Sequence, residues 1–217
     1  MFIGHFGIGF GAKKAAPPVS LGTLFLAAQF LDLLWPVLLL LGIEHAEIKP
    51  GTGHSQPIAF TDYPVSHSLL AVAGWGILFA LVYWIFKKNI GHAIVLGLCV
   101  ISHWLLDLVV HLPDLPLHPG AGAPLYGFQL WNSFWGTLIV EGSFFLVGFY
   151  LYLKNTKAKN KQGILSLWIL VALLVMIHIA NITGPPPPSM DAVAWAGNLQ
   201  WLFVILAYWT DRNRSYN

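Results

Sequence analysis

Six apolar segments of about 20 residues each run through this chain of 217 residues. Their approximate boundaries are 20–43, 66–86, 91–112, 131–153, 163–183 and 192–210. Each is long enough to cross a hydrocarbon core about 30 Å thick. None alternates apolar and polar residues as the strands of a membrane barrel do, so helices are favoured. The sequence therefore predicts an all-α fold, a polytopic membrane helix bundle with about six transmembrane helices in a single membrane domain, 1–217.

The composition excludes a water-soluble globular domain. Hydrophobic residues make up 57% of the chain and charged residues only 9%, whereas soluble domains carry about 25% charged residues. So few charges cannot cover a water-facing surface of this size, and lipid is therefore the natural solvent. The formal net charge of +2 is also too small, and the basic residues too dispersed, to indicate a nucleic-acid partner.

The basic residues alternate between the loops. Ten of the eleven lysines and arginines lie before the first segment or after the second, fourth or sixth, and only Lys49 lies in the other loops. The positive-inside rule assigns the lysine- and arginine-rich side to the cytoplasm. We therefore expect an integral protein of a bacterial cytoplasmic (inner) membrane with both termini in the cytoplasm.

The N-terminal segment 1–12 is apolar and rich in glycine, but it is too short to span a membrane. With Lys13 held at the cytoplasmic surface, the segment forms either a re-entrant helix that enters the bundle or an interfacial helix that lies on the membrane. In the re-entrant arrangement His5 would lie roughly 12 Å deep, at a helical rise of about 1.5 Å per residue. The sequence leaves both arrangements open.

Ionisable residues inside the apolar segments are the candidates for function, because each costs roughly 2.5–3.5 kcal/mol at membrane depth. Five of the six segments carry at least one such residue, which is more than helix packing requires. Their estimated depths fit a funnel that opens outward. The residues are Asp32, His67, His103, Asp107, His111, Glu141 and His178. By contrast, His45, His54 and His118 lie in polar loops, where we expect solvated side chains.

Two local patterns stand out among these residues. His103 and Asp107 are four residues apart and therefore share a helix face. A histidine and a carboxylate on adjacent turns suit a divalent cation such as zinc, although a hydrogen-bonded pair that joins two helices would show the same spacing. In the second pattern, Pro64 predicts a helix start with Ser66 as the N-cap and His67 in the first turn, at the outer membrane face.

The order and spacing of five residues resemble a known family, the membrane-bound metal-dependent hydrolases related to a LexA-regulated inner-membrane protein. The resemblance covers roughly residues 1–112, and residues 113–217 form three further transmembrane helices of unassigned role. The resemblance implies one or two divalent metal ions, with zinc favoured over manganese. The implied metal ligands are His5, Asp32, His67, His103 and Asp107.

One further similarity and one difference accompany this resemblance. The helix that carries His103 and Asp107 is also similar, more remotely, to that of zinc-dependent phospholipase C and P1-type nucleases. The second aspartate of the family pattern after the first helix, and the histidine that follows it, have no counterpart beside Asp32. A complete centre of two or three metals is therefore not expected.

Three functions are compatible with these residues. The leading one is a metal-dependent hydrolase that acts on a phosphate ester of a membrane lipid or lipid-linked substrate at the outer leaflet, with Asp32 or Glu141 as the catalytic general base. A proton-coupled transporter would instead use Asp32, Glu141 and His178 as a relay. A structural membrane subunit would use the polar residues only to join helices.

Overall fold

The computed structural model describes residues 1–49 and 57–217. Its helices are α1 (Ile3–Ala12), α2 (Leu21–Ala28), α3 (Phe30–Leu40), α4 (Pro64–His67), α5 (Leu69–Lys87), α6 (Ile90–Val110), α7 (Phe134–Asn155), α8 (Lys161–Thr183), α9 (Met190–Asn198) and α10 (Trp201–Arg212). A single 3₁₀ turn, Leu130–Asn132, precedes α7. The predicted all-α helix bundle is confirmed.

Within residues 1–49 and 57–217, short strands outside the helices form three antiparallel pairs. They are β1 (His45–Ile48) with β2 (Ile58–Asp62), β3 (Leu115–Pro116) with β4 (Leu125–Tyr126), and β5 (Thr156–Ala158) with β6 (Arg214–Tyr216). In the first pair His45 lies opposite Asp62, and Ile48 lies opposite Ile58. The third pair joins the loop after α7 to the end of the chain, because Thr156 lies opposite Tyr216.

The helices supply five candidate membrane spans among the described residues, and a sixth if one bent pair counts as a single span. The five are α5, α6, α7, α8 and the stretch Met190–Arg212, which contains α9 and α10. The bent pair is α2 with α3. The prediction of about six transmembrane helices is therefore confirmed, with boundaries close to those expected.

The first span differs from the single helix expected over 20–43. Helices α2 and α3 meet at Gln29 with a bend of 57°. A second irregularity is Pro36 inside α3, which has no N–H to donate to the carbonyl of Asp32 four residues earlier. The side-chain amide of Gln200 donates to that carbonyl instead, at 3.4 Å. The bend could not be expected from the sequence, because no glycine or proline marks residue 29.

Helix α1 lies inside the bundle and not on the membrane surface. The side chains of Ile3, Phe6 and Phe10 are almost completely buried among residues of α2, α7, α8 and α10. On the face toward α7, Gly7 and Gly148 bring the two backbones so close that a Cβ on either glycine would collide with the other helix. Close approach of small residues is a common way to pack helices in membranes. The re-entrant arrangement is therefore the one that the protein adopts.

The helix ends that carry basic residues lie at the same end of the bundle, which we call the basic end. There Lys13 donates to Asp211 Oδ2 at 2.9 Å and to the Val19 carbonyl at 2.8 Å. The guanidinium of Arg214 donates to Thr156 Oγ1 and to the Gly163 carbonyl. These bonds attach the end of α1 and the end of the chain to the helices around them.

Replacing Lys13 with alanine is expected to destabilise the protein by about 1.5–3 kcal/mol, since hydrogen bonds to a charged, nearly buried group are lost. The side chain of Lys13 is only 6% exposed in its pair with Asp211. Thermal unfolding in detergent, followed by tryptophan fluorescence, measures the effect. The exposed neighbour Lys14 provides the matched control. Equal melting temperatures for Lys13→Ala and Lys14→Ala would contradict the structural role of Lys13.

Candidate metal centre

Four side chains from three separate elements converge at the middle of the bundle. The Nε2 atom of His103, on α6, lies 3.2 Å from Asp107 Oδ2 and 3.5 Å from Asp32 Oδ1, on α3. The Nε2 atom of His67, at the end of α4, lies 3.8 Å from the same Asp107 oxygen and 3.7 Å from the same Asp32 oxygen. His103 lies about 20 Å from the start of α6 at the basic end, at a rise of about 1.5 Å per residue.

The imidazole of His103 is buried, and its tautomer is fixed by a backbone carbonyl. His103 Nδ1 lies 2.8 Å from the Ala28 carbonyl, which can only accept, so this nitrogen carries a proton and Nε2 faces the two carboxylates. The Ala28 carbonyl is the last of α2, so the bend after it places the carbonyl beside α6. His103 is completely buried, and its Nε2 atom has no hydrogen-bond partner among the described residues. A buried polar atom in this situation needs a ligand or carries a large cost.

His5 lies beside the four atoms and contacts Asp107 on its other side. Its Nε2 atom is 3.0 Å from Asp107 Oδ1, and its ring stacks on that of His103 at 3.6 Å between ring centroids. The α-amino group of Met1 also contacts Asp107 Oδ1. Potential ligand atoms within 4.8 Å of one another form two overlapping groups among the described residues. One consists of His5, His103 and Asp107, and the other of Asp32, His67 and His103. The structure thus brings together all five residues that the sequence suggested as metal ligands.

A chain of hydrogen bonds orients His67. The Nδ1 atom of His67 is 2.6 Å from Ser66 Oγ, which in turn donates to Glu44 Oε2 at 2.6 Å. The other oxygen of Glu44 accepts from the backbone amides of Val65 and Ser66, both at 2.8 Å. The predicted N-cap role of Ser66 is therefore wrong, because the carboxylate of Glu44 satisfies the first amides of α4 and Ser68 caps α5.

Glu44 is the residue of this site that the sequence did not reveal. It is completely buried, although it lies in a polar loop next to the exposed strand residue His45. Groups that hydrogen-bond to a ligating histidine fix its ring, and their removal typically weakens metal binding by 10–100-fold. The contact with Ser66 spans 22 positions of the chain. No local pattern in the sequence points to it.

Replacing Glu44 with glutamine is accordingly expected to weaken zinc binding by about 10-fold to 100-fold while the helices remain. Competition with a coloured zinc chelator measures the affinity, and circular dichroism checks the helix content. Glu47→Gln is the matched control, because Glu47 is exposed on β1, three residues after Glu44. If both variants bind zinc as tightly as the unaltered protein, Glu44 does not position His67.

A second polar cluster lies toward the end of the bundle opposite the basic end. His111 Nδ1 and the Tyr63 hydroxyl both donate to Asp114 Oδ1, at 2.9 Å each. Burial lowers the pKa of His111. Burial and the nearby Asp114 carboxylate raise the pKa of Tyr63 well above its usual value of 10.0. Both residues are therefore neutral donors near pH 7, and His111, expected to continue the face of His103 and Asp107, belongs to this separate cluster.

Glu141 and His178 lie on the other side of the start of α1. Glu141 Oε2 accepts from the Phe2 amide at 2.8 Å and lies 4.0 Å from His178 Nδ1. The ring of His178 stacks on that of Phe2 at 6.4 Å. Glu141, expected as an alternative general base, is thus separated from the four converging atoms by the Met1–Phe2 backbone. Of the three loop histidines, His45 is 60% exposed, His118 is half-buried, and His54 lies outside the described residues.

The nitrogen–oxygen separations at the centre are close to those between ligand atoms around a zinc ion. With zinc–ligand bonds of about 2.0–2.1 Å, the four ligand atoms of such an ion lie ~3.3–3.4 Å apart. The four separations measured between the two imidazoles and the two carboxylates are 3.2, 3.5, 3.7 and 3.8 Å. These four separations are therefore compatible with ligands to one ion.

Comparison with known proteins places the chain in a family. The family model that matches is described as YdjM inner membrane protein, and the match covers residues 53–183. The chain belongs to this family. The match to this family and the apolar helices together identify the chain as an integral protein of the inner membrane. None of the curated proteins and none of the solved structures that were compared with the chain matches it.

The YdjM match covers a different part of the chain from the resemblance noted over residues 1–112. It includes α7 and α8. The matched segment contains His67, His103 and Asp107, but neither His5 nor Asp32. The family description names a membrane and no activity, and nothing in these comparisons supports a likeness to zinc-dependent phospholipase C or P1-type nucleases.

Proposed function

We propose that this YdjM-family protein is a metal-dependent hydrolase that acts on a phosphate ester within the membrane. The observation that carries the proposal is that the Nε2 atoms of His67 and His103 each lie 3.2–3.8 Å from carboxylate oxygens of both Asp32 and Asp107. Burying two carboxylates and several histidines together is costly unless they are paired or coordinate a cation. The Nε2 atom of His103 supports a cation in particular, because it lies 3.2 Å from Asp107 Oδ2 without forming a hydrogen bond of good geometry.

The donor set favours zinc. A donor set of imidazole nitrogens and carboxylate oxygens suits zinc, whereas manganese prefers octahedral sites rich in oxygen. In this proposal Asp107 Oδ2 binds the ion, and His5 holds the other oxygen of the same carboxylate. A divalent cation here would supply the Lewis acidity that phosphate-ester hydrolysis requires.

Substrate would reach the centre past Asp32. The side chain of Asp32 is 24% exposed, while those of His67, His103 and Asp107 are at most 4% exposed. Asp32 therefore borders the opening. If His67, His103 and Asp107 hold the ion, Asp32 would be free to accept a proton from water at the open fourth position.

The position of the centre favours a lipid or lipid-linked substrate. We infer from the positive-inside rule that the basic end and both termini face the cytoplasm. At about 20 Å from that end the centre lies beyond the midplane of a core about 30 Å thick, on the outer-leaflet side. A substrate already dissolved in the bilayer would explain why costly groups are placed at this depth.

Metal analysis combined with an ester assay tests the proposal. Purified protein in detergent is expected to retain about one zinc ion, or manganese in its place, per chain by elemental analysis. Protein reconstituted in vesicles is expected to release phosphate or a phosphorylated headgroup from lipid phosphate esters, to lose this activity with a chelator and to regain it with zinc. Folded protein with no divalent cation above background, or hydrolysis that a chelator does not affect, would overturn the proposal.

A further inference from the structure

Glu141 is a buried carboxylate on α7 that lies outside the candidate metal centre. It is only 2% exposed. Its Oε2 atom accepts from the backbone amide of Phe2 at 2.8 Å, a contact that spans 139 positions of the chain. The indole of Trp131 also hydrogen-bonds to this carboxylate, and His178 Nδ1 lies 4.0 Å from it. Through the Phe2 amide, the carboxylate links α7 to the start of α1.

The start of α1 needs a hydrogen-bond partner from outside the helix. The first four amides of a helix have no acceptor within it. Phe2 is the N-cap residue of α1, and no side chain of the first turn caps it among the described residues. The first turn of α1 also contains no acidic residue, although the helix dipole favours a carboxylate at this end. Glu141 therefore supplies from α7 the acceptor and the negative charge that the sequence of α1 lacks.

Contacts with other helices fix α1 along its whole length. Glu141 holds its start, and Lys13, directly after its end, donates to Asp211 Oδ2 at 2.9 Å. Between these two contacts, Gly7 lies against the backbone of Gly148. Helix α1 therefore cannot slide along its axis unless one of these contacts breaks.

The position of α1 decides where the imidazole of His5 lies. His5 follows Phe2 by three residues, which is less than one helical turn. Its Nε2 atom lies 3.0 Å from Asp107 Oδ1, while Oδ2 of the same carboxylate faces His67 and His103. A shift of α1 by about 1 Å would move His5 beyond hydrogen-bonding distance of Asp107. The orientation of the Asp107 carboxylate therefore depends on the position of α1.

We propose that Glu141 is a positioning residue of the candidate metal centre, which holds the Phe2 amide and thereby keeps His5 against Asp107. Glu141 acts through α1, because the Met1–Phe2 backbone lies between its carboxylate and the centre. The effect on bound zinc rests on the proposed function, whereas the hold on α1 does not.

Two substitutions of Glu141 separate this role from a role of its charge. The amide oxygen of glutamine still accepts from the Phe2 amide, whereas alanine removes the acceptor. In competition with a zinc chelator, Glu141→Ala is expected to bind zinc about tenfold more weakly than the unaltered protein, and Glu141→Gln to stay within about threefold of it. Ser143→Ala, at an exposed position of α7, is the matched control and is expected to bind zinc normally.

The glutamine variant also excludes or establishes the other roles of a buried carboxylate. A metal ligand, a general base or a proton relay with His178 each requires the ionisable group, which glutamine lacks. If Glu141→Gln binds zinc as weakly as Glu141→Ala, or keeps its zinc and loses ester hydrolysis, the proposal is overturned. This variant decides by itself if Glu141→Ala does not fold.

A double-mutant cycle tests whether Glu141 acts through His5. The combined variant His5→Ala/Glu141→Ala is expected to bind zinc as tightly as His5→Ala alone, because residues that act in one network are not additive. Losses that multiply would show that Glu141 supports the centre by another route, such as its contact with Trp131, and would overturn the proposal.

Hydrogen exchange followed by mass spectrometry tests the hold on α1 in zinc-free protein. The amides of residues 3–12 are expected to exchange at least about tenfold faster in Glu141→Ala than in the unaltered protein, and at the unaltered rate in Glu141→Gln. Unaltered exchange in Glu141→Ala would overturn the proposal. If the unaltered protein binds no zinc, the proposed function fails, while the exchange rates still decide whether Glu141 holds α1.

Discussion

Asp107→Asn is expected to remove the bound metal, from about one zinc ion per chain to background, and to lower ester hydrolysis by more than ~100-fold. Loss of an outer hydrogen-bond partner of a metal ligand typically costs 10–100-fold in metal affinity or activity, and loss of a ligand should cost more. Asp107 is only 1% exposed and contacts His5, His67 and His103 through its two oxygens. Asparagine preserves the volume but offers no negative charge to the cation. Elemental analysis of the purified variant measures the effect.

The control for this substitution is Asp191→Asn, which alters an exposed carboxylate in the first turn of α9. It is expected to retain both metal and activity. Helix content and melting behaviour of the two variants identify any general loss of folding. If Asp107→Asn folds and still carries one zinc ion per chain, the carboxylate pairs with histidines for structural reasons only.

Gly148→Ala is expected to destabilise the protein by about 1–3 kcal/mol and to lower its zinc content, because overpacking at a close helix contact forces the backbones apart. A Cβ at Gly148 would collide with the Gly7 backbone, so α1 must shift relative to α7. His5 lies within one turn of Gly7 and would be displaced from Asp107 by the same movement. Thermal unfolding in detergent and elemental analysis measure the two effects separately.

Gly142→Ala is the matched control on the same helix. A Cβ at Gly142 meets nothing within 4 Å, so this substitution is expected to be neutral or slightly stabilising. Similar melting temperatures for the two variants would contradict the close contact of α1 with α7. A destabilised Gly148→Ala that keeps its full zinc content would show that the centre does not depend on the position of α1.

The spans and the candidate residues could be predicted because their signals are local. Hydropathy over a window of about 20 residues marks a membrane helix, and the spacing of His103 and Asp107 shows that they share a helix face. Asp32 and His67 could also be identified as candidates from the sequence, because ionisable groups in apolar segments are rare and costly. Glu44 gives no such signal, because a carboxylate in a polar loop is ordinary.

By itself, the sequence determined that this chain is a membrane helix bundle and which polar residues it carries into the bilayer. Only the tertiary structure decided that α1 enters the bundle, that the first span bends at Gln29 and that Ser66 links Glu44 to His67. The physical reason is the separation along the chain over which each kind of interaction acts. Hydropathy and helical periodicity are properties of neighbouring residues, whereas atoms 3–4 Å apart at the centre come from elements whose packing depends on the whole chain.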